Sequence, residues 1–287
     1  MKSDKTCKWF IYVILTLLAL SIVVPMIWVL LASVKQKSEF YGDPWGLPAG
    51  VYLQNYFDAF TDAHMGSYLL NSLFTTVLGL AILLVVAVPA AYVLARYRFR
   101  GRQILHLLFM GGLFINVNYI VVPIFLMLLD GDRWLGGWFP DGLLIDNLAV
   151  LSLVYAATAI PFTIYLLSGY FQTIPEVFEE AAAMDGCSHV RTMLSIMAPM
   201  ARPSIVTVIL FNFLAFWNDY IIALTLLPGP NKTLPVGLLN LMTAQKAAAN
   251  YGRLYAGLVI VMVPALILYI LVQRRLVEGM TAGGTRE

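Results

Sequence analysis

Apolar and polar positions separate into long blocks along this chain. Residues 9–34 carry no charged side chain, and neither do 65–95, 103–129 (His106 aside), 147–175 or 254–273. Residues 203–231 are interrupted only by Asp219. A bilayer-spanning helix takes about 20 mostly apolar residues. The pattern therefore predicts six transmembrane helices, and with them an all-α, polytopic membrane helix bundle. Residues 9–34 exceed the about 7–15 residues of a signal-peptide core and are expected as a retained first helix. Residues 66–273 then hold a five-helix core, and 1–287 reads as a single membrane subunit. Pro25, Pro89, Pro123, Pro161 and Pro264 fall inside the blocks. Each is expected to kink its helix, because neighbouring helices can satisfy the carbonyl that the proline frees.

Composition agrees with the blocks. Hydrophobic residues make up 60% of the chain and charged residues 12%, with a mean hydropathy of +0.81. Soluble domains are about 45–50% apolar and roughly 25% charged, so a water-soluble fold is excluded. The basic residues give the orientation. Lys2, Lys5, Lys8, Arg96, Arg98, Arg100, Arg102, Arg191, Arg202, Arg274, Arg275 and Arg286 fall on one side of a six-span chain. Only Lys35, Lys37, Arg133, Lys232, Lys246 and Arg253 fall on the other. Loops richer in Lys and Arg stay inside, so both termini are expected in the cytoplasm. The net charge of +2 reflects this topology and implies no nucleic-acid partner. Cys7 and Cys187 fall on the cytoplasmic side, where thiols stay reduced.

One insert breaks the apolar text: "IPEVFEEAAAMDGCSHVRTMLSIMAPMARP", residues 174–203. Thr173 and Glu176 have capping-box spacing, with Pro175 in the first turn. Glu176, Glu179 and Glu180 suit the positive end of a helix dipole. Val177, Ala181 and Met184 form a stripe flanked by Phe178 and Ala182, and Gly186 stands where a left-handed residue closes a helix. Ser188 can cap a second helix carrying Val190, Met193, Leu194 and Met197, which Pro199 and Pro203 are expected to end. The result is two short helices around a glycine turn. An interfacial membrane helix would favour Lys and Arg on its polar face, whereas the first helix here has only acids. Its alanines leave a shallow surface that another protein can approach closely. The reading favoured is a protein-docking loop.

"EAAAMDGCSHVRTMLSIMAP" resembles the EAA loop of ABC importer permeases, patterned as E-A-A, three residues, G, nine residues, then I-x-L-P. Glu180, Ala181, Ala182, Gly186, Ile196 and Pro199 match, and Ala198 replaces the usual leucine. "AAYVLARYRFRGR" (90–102), "FWNDY" (216–220), "TLPVGL" (233–238) and "EGMTAGG" (278–284) narrow the resemblance to the maltose-type carbohydrate permeases. "INVNYIVVP" departs from the Pro-Gly pair common in that family's third span. The resemblance implies that residues 170–202 couple the subunit to a cytoplasmic ATPase. It further implies a second, different permease subunit, two ABC ATPase subunits, an external solute-binding protein and a bacterial-type inner membrane. ATP and Mg would be used by the partner ATPase, with no cofactor in this subunit, whose surroundings would otherwise be membrane lipid.

Polar residues within apolar blocks are the candidates for a solute pathway: Asn116, Asn118 and Tyr119, then Trp217, Asn218 and Asp219, with Tyr220 beside them. Amides and aromatic rings suit the hydroxyls and CH faces of sugars. Hydrogen bonding between helices is an equal account of the asparagines. Asn116 and Asn118 cannot share a helix face unless the helix breaks nearby. Asp219 lies 16 residues beyond Pro203, about 24 Å into a core of about 30 Å, so an outer vestibule suits it as well as a deep site. Trp217 fits an interfacial aromatic belt equally.

The alternative class is an ion-coupled secondary transporter, which places several ionisable groups in its spans; here only Asp219 is offered. A catalytic reading finds no H-E-x-x-H, no G-x-S-x-G and no P-loop. His64, His106 and His189 are scattered without metal-ligand spacing. The subunit is therefore not expected to hydrolyse ATP itself.

Overall fold

The computed structural model describes residues 2–138, 142–248 and 250–281. Among them every regular element is helical. The chain runs through α1 (Lys2–Ser33), α2 (Lys37–Gly42), α3 (Gln54–Thr61), α4 (Met65–Arg96), α5 (Arg102–Gly112), α6 (Val117–Leu135) and α7 (Leu148–Thr173). Next come α8 (Val177–Met184), α9 (His189–Thr192), a π-helical turn (Met193–Met197) and α10 (Ala198–Met200). The series closes with α11 (Arg202–Trp217), α12 (Ile221–Leu226), α13 (Leu234–Ala248) and α14 (Tyr251–Thr281). Of the "EGMTAGG" stretch, residues 282–284 lie outside the described residues, as does Arg286.

Among the described residues, four helices are long and apolar enough to cross a membrane: Cys7–Ser33, Met65–Arg96, Leu148–Thr173 and Tyr251–Leu271. The count reaches six when each of two bent pairs is one span, α5 with α6 at 104° and His189–Met200 with α11 at 76°. Two blocks expected as single helices are broken, the third at the 104° bend and the fifth at the far end of α11, separate from the 76° bend at Ala201. The third block stops at Gly112 and restarts at Val117, and α6 then runs past residue 129 to Leu135. That extension adds Asp130 and Asp132 to the helix. The fifth block stops at Trp217, and α12 and α13 occupy a region expected to end as loop. The five span prolines all lie inside helices, whereas neither break contains one.

The described residues form two compact units, one from the chain up to Ser67 with Gly237–Pro264, the other from Tyr68–Val236 with the chain from Ala265. In the first unit, the apolar part of α1 is almost wholly exposed and its C-terminal end packs by aromatic contacts. Trp28, Phe40, Trp45 and Tyr255 have ring centroids 5.1–6.3 Å apart. Lys35 is 1% exposed, and its ammonium donates to the carbonyls of Asp43 and Pro44 at 2.9 and 3.3 Å. A buried charge is tolerable only with such partners. Arg253 donates to Asp58 at 2.8 Å and to Asp62 at 3.3 Å. That guanidinium holds the Asp58 carboxyl below the usual carboxylate range.

In the second unit, α7 is the central element. Leu151, Tyr155, Ile164, Leu167 and Phe171 on α7 are buried with Leu83, Ala87 and Ala91 of α4 and Val208 and Phe216 of α11. The small residues let backbones come close, which is how membrane helices gain packing. Gly112 shows the effect at the α5–α7 contact, where an added Cβ would sit 2.8 Å from the Pro161 ring. Asp132 ties the loop after α6 by accepting the backbone N–H groups of Leu143, Leu144 and Ile145 at 2.7–2.9 Å.

Candidate functional site

The charged insert folds as a helix pair. Gly186 has φ +73°, and nothing lies within 4 Å of where its Cβ would be. The Gly186 N–H donates to the Ala183 carbonyl at 3.0 Å and the Cys187 N–H to the Ala182 carbonyl at 2.9 Å. These two bonds are the Schellman pattern, which satisfies the last carbonyls of a helix and needs a left-handed residue. Ser188 caps the second helix by accepting the Arg191 N–H at 3.4 Å.

One expectation about this insert requires correction. The capping box does not form: Thr173 is the last residue of α7, and its hydroxyl donates back to the Tyr170 carbonyl. Helix α8 starts instead with the Glu179 and Glu180 N–H groups on the Glu176 carbonyl. The second helix ends between the two prolines as expected, at Met200, one residue past Pro199. The π-turn widens the helix just ahead of it, with the Ala198 N–H reaching back to the Met193 carbonyl. The wider turn accommodates a residue that has no N–H to give and whose ring crowds the preceding turn.

Of the matched residues, Glu180, Ala181, Gly186 and Pro199 are exposed, Ile196 is half-buried and Ala182 is buried. The stripe expected on α8 does not pack inward: Val177, Phe178 and Met184 are 65%, 42% and 89% exposed. On the second helix, Val190 and Leu194 are exposed too, while Met193 and Met197 are buried. The pair therefore presents acids, alanines and a few large apolar side chains outward. Its inner side is anchored by pairings the sequence pattern did not single out. Glu179 accepts the Tyr92 hydroxyl at 2.6 Å and lies 3.3 Å from Nε of Arg96. Tyr97 shares a 2.9 Å hydrogen bond with Nδ1 of His189. In the sequence, Arg96 and Tyr97 stand out through the basic run at 96–102 and the family resemblance of 90–102, and Glu179 as an acid at a helix start; none of these signals pairs them. A cleft of about 470 Å³ opens there, lined by Tyr92, Arg96, Glu176, Glu180 and His189 among others.

The pathway candidates fall at the two helix breaks. Asn116 is extended and caps α6, accepting the Asn118 N–H at 3.0 Å. Asn118 is exposed and Tyr119 is 82% exposed. Asn218 donates to the Leu214 carbonyl at 2.8 Å, satisfying the end of α11. Asp219 accepts the Tyr155 hydroxyl at 2.9 Å and the Ala223 N–H at 3.0 Å through the same oxygen, Oδ2. Trp217 is 2% exposed and stacks on Phe213 with centroids 5.5 Å apart, which removes it from an interfacial belt. Asn116, Asn218 and Asp219 are thus occupied in closing broken helices, as irregular backbone at membrane depth requires. Hydrogen bonding between neighbouring helices is found instead at Asn212, which donates to Thr163 Oγ1 at 3.2 Å. Among the described residues no cluster of His, Cys, Asp or Glu could hold a metal ion.

A helical, multi-span chain with this helix pair has known relatives. Residues 46–281 match the family described as binding-protein-dependent transport system inner membrane component. The chain belongs to that family. This inner membrane component is similar to the diacetylchitobiose uptake system permease protein NgcG of Streptomyces coelicolor, at 33% identity over 99% of this chain and 91% of that protein. It is also similar to the trehalose transport system permease protein SugB of Mycobacterium tuberculosis, at 29% identity over 91% and 92% of the two chains. Its fold matches the crystal structure of a bacterial ABC transporter involved in the import of the acidic polysaccharide alginate, with TM-score 0.77 and 27% identity over 96% and 98% of the two chains. The chain is thus a multi-pass permease subunit of an ABC importer, and it works with other subunits rather than as an enzyme on its own.

Proposed function

We propose that this subunit forms half of a translocation pathway for a sugar or oligosaccharide, driven by ATP that partner subunits hydrolyse with Mg. The observation that carries the coupling is the helix pair around Gly186, which leaves Glu180 and Ala181 exposed while its inner side is anchored. That outward face docks on a cytoplasmic ATPase. A second, different permease subunit, two ATPase subunits and an external solute-binding protein complete the assembly. The carbohydrate class is supported by what the relatives' names say they carry. Asn118 and Tyr119 are exposed at the first helix break and remain the pathway residues with side chains on offer, while Asn218 closes the end of α11. Asn116 and Asp219 contribute by shaping the breaks, and Trp217 by packing beneath one.

The test is uptake into proteoliposomes holding the complete complex, with the binding protein outside. A panel of labelled saccharides, diacetylchitobiose and trehalose among them, is offered with ATP inside. Uptake of at least one should require ATP and persist when a protonophore collapses the proton gradient. Uptake by this subunit alone, driven by that gradient, would establish the ion-coupled alternative. Uptake of a different solute class with none of the saccharides would remove the carbohydrate reading.

The proposed orientation has its own check. Arg100, between α4 and α5, faces the cytoplasm, and Trp138, after α6 and 84% exposed, faces outward. Single cysteines at each, in a chain lacking Cys7 and Cys187, are treated with an impermeant thiol reagent in intact cells. Position 138 should label and position 100 should not; the reverse pattern inverts the topology.

A further inference from the structure

Helix α8 has little to hold it in place. Of its residues only Ala182 is buried, and its large apolar side chains are exposed. Its remaining attachment is polar and lands on the last turns of α4. The Glu179 carboxylate uses both oxygens there: Oε1 accepts the Tyr92 hydroxyl at 2.6 Å, and Oε2 lies 3.3 Å from Nε of Arg96. The Arg96 side chain is 7% exposed, and its Nη2 also donates to the carbonyl of Ile174, the residue just after α7. One residue further, Tyr97 reaches the other helix of the pair. Its hydroxyl is 2.9 Å from Nδ1 of His189, and the two rings meet edge to face at 5.6 Å. Tyr97 and Tyr92 also meet edge to face, at 5.7 Å.

The C-terminal end of α4 thus grips both short helices, one on each side of the Gly186 turn. A buried ion pair adds little net stability, because desolvation offsets its attraction. What it imposes is register, since the Tyr92 hydroxyl and the Arg96 guanidinium together engage one carboxylate and one carbonyl. We propose that Tyr92, Arg96 and Tyr97 form a latch that makes α8 and α9 move as one piece with α4. A displacement imposed on the helix pair is then passed first to the second span. These are positioning residues for energy coupling, and the proposal rests on the docking reading given above.

The experiment uses the complete complex in proteoliposomes. ATP hydrolysis is measured with and without the solute-binding protein in the presence of the saccharide panel, and co-purifying ATPase is quantified. Glu179→Gln and Arg96→Gln should retain the ATPase while stimulation by the binding protein falls by about five- to tenfold, the size of a contact-pair coupling. Exchanging the charges, Arg96→Glu with Glu179→Arg, should recover most of it. Stimulation at the wild-type level in both single variants overturns the latch. So does an exchange that recovers nothing, which would mark a merely structural role. If the Arg96 variants fail to assemble, Tyr92→Phe and Tyr97→Phe decide, since each deletes one hydroxyl and keeps the ring packing. Both should lose part of the stimulation, and wild-type behaviour in both overturns the proposal. Loss of coupling in Gly186→Val with intact coupling in all latch variants sinks the latch and leaves the docking reading standing. Intact coupling in Gly186→Val sinks the docking reading itself.

Discussion

Replacing Gly186 with valine is expected to leave the subunit in the membrane at near-normal amounts and to abolish ATPase-coupled transport. At φ +73° an L side chain is penalised by roughly 1–2 kcal/mol, and more when it is β-branched. Space is not the difficulty, because nothing lies within 4 Å of the added Cβ. The strain is in the backbone, so the turn relaxes toward negative φ and gives up the two Schellman bonds from Gly186 and Cys187. An energy of about 1–2 kcal/mol shifts a population by roughly 5- to 30-fold. That is enough to make the native angle between α8 and α9 a minor state. The spans do not depend on this turn, so insertion should survive while ATPase binding or binding-protein-stimulated hydrolysis is lost. Cys187→Ala, whose backbone has no special demand, should behave as wild type. Hydrolysis stimulated as well in Gly186→Val as in Cys187→Ala would remove the docking role.

Asp219→Ala is expected to destabilise the second unit and to reduce transport severely, even if Asp219 never touches a solute. Its Oδ2 atom receives both the Tyr155 hydroxyl and the N–H of Ala223 in the first turn of α12. Tyr155 is 1% exposed and stacked on Phe216 with centroids 5.0 Å apart, so its hydroxyl has no water to turn to. A buried donor left unpaired costs about 1–3 kcal/mol, and loss of the backbone acceptor adds about 1 kcal/mol. The measurement is the midpoint of thermal unfolding of the purified complex in detergent, with uptake alongside. Tyr155→Phe should cost less, because it removes the donor and leaves Asp219 on the Ala223 N–H. Adding Asp219→Ala to Tyr155→Phe should then cost less than Asp219→Ala does alone. An Asp219→Ala protein with a wild-type midpoint would show that the hydrogen bonds are not what keeps the acid there.

The block pattern was sufficient for the helical membrane class, because apolar runs of about 20 residues have few other stable outcomes. The helix pair was legible for a local reason as well: a Gly–x–Ser spacing fixes a left-handed end and a new cap within three residues. Local rules failed where the competing contact lay elsewhere in the chain. Thr173 looked like a cap until α7 ran on to claim it.

The all-helical fold class, the insert and its glycine turn could be read from the amino-acid order, because each depends on side chains a few residues apart. Where the spans break and what grips the insert follow from packing between distant parts of the chain. The five prolines, the conspicuous local signals, are all carried within helices. The breaks fall instead at Asn116 and at Asn218–Asp219, where an amide or carboxylate can satisfy freed backbone groups and, at Asp219, a tyrosine 64 residues away completes the bonding. Likewise Glu179 looked like one more acid at a helix start, and its partners on α4 lie more than 80 residues earlier. A buried polar group is held by whichever donors the packing brings within about 3 Å, and sequence distance carries no record of that.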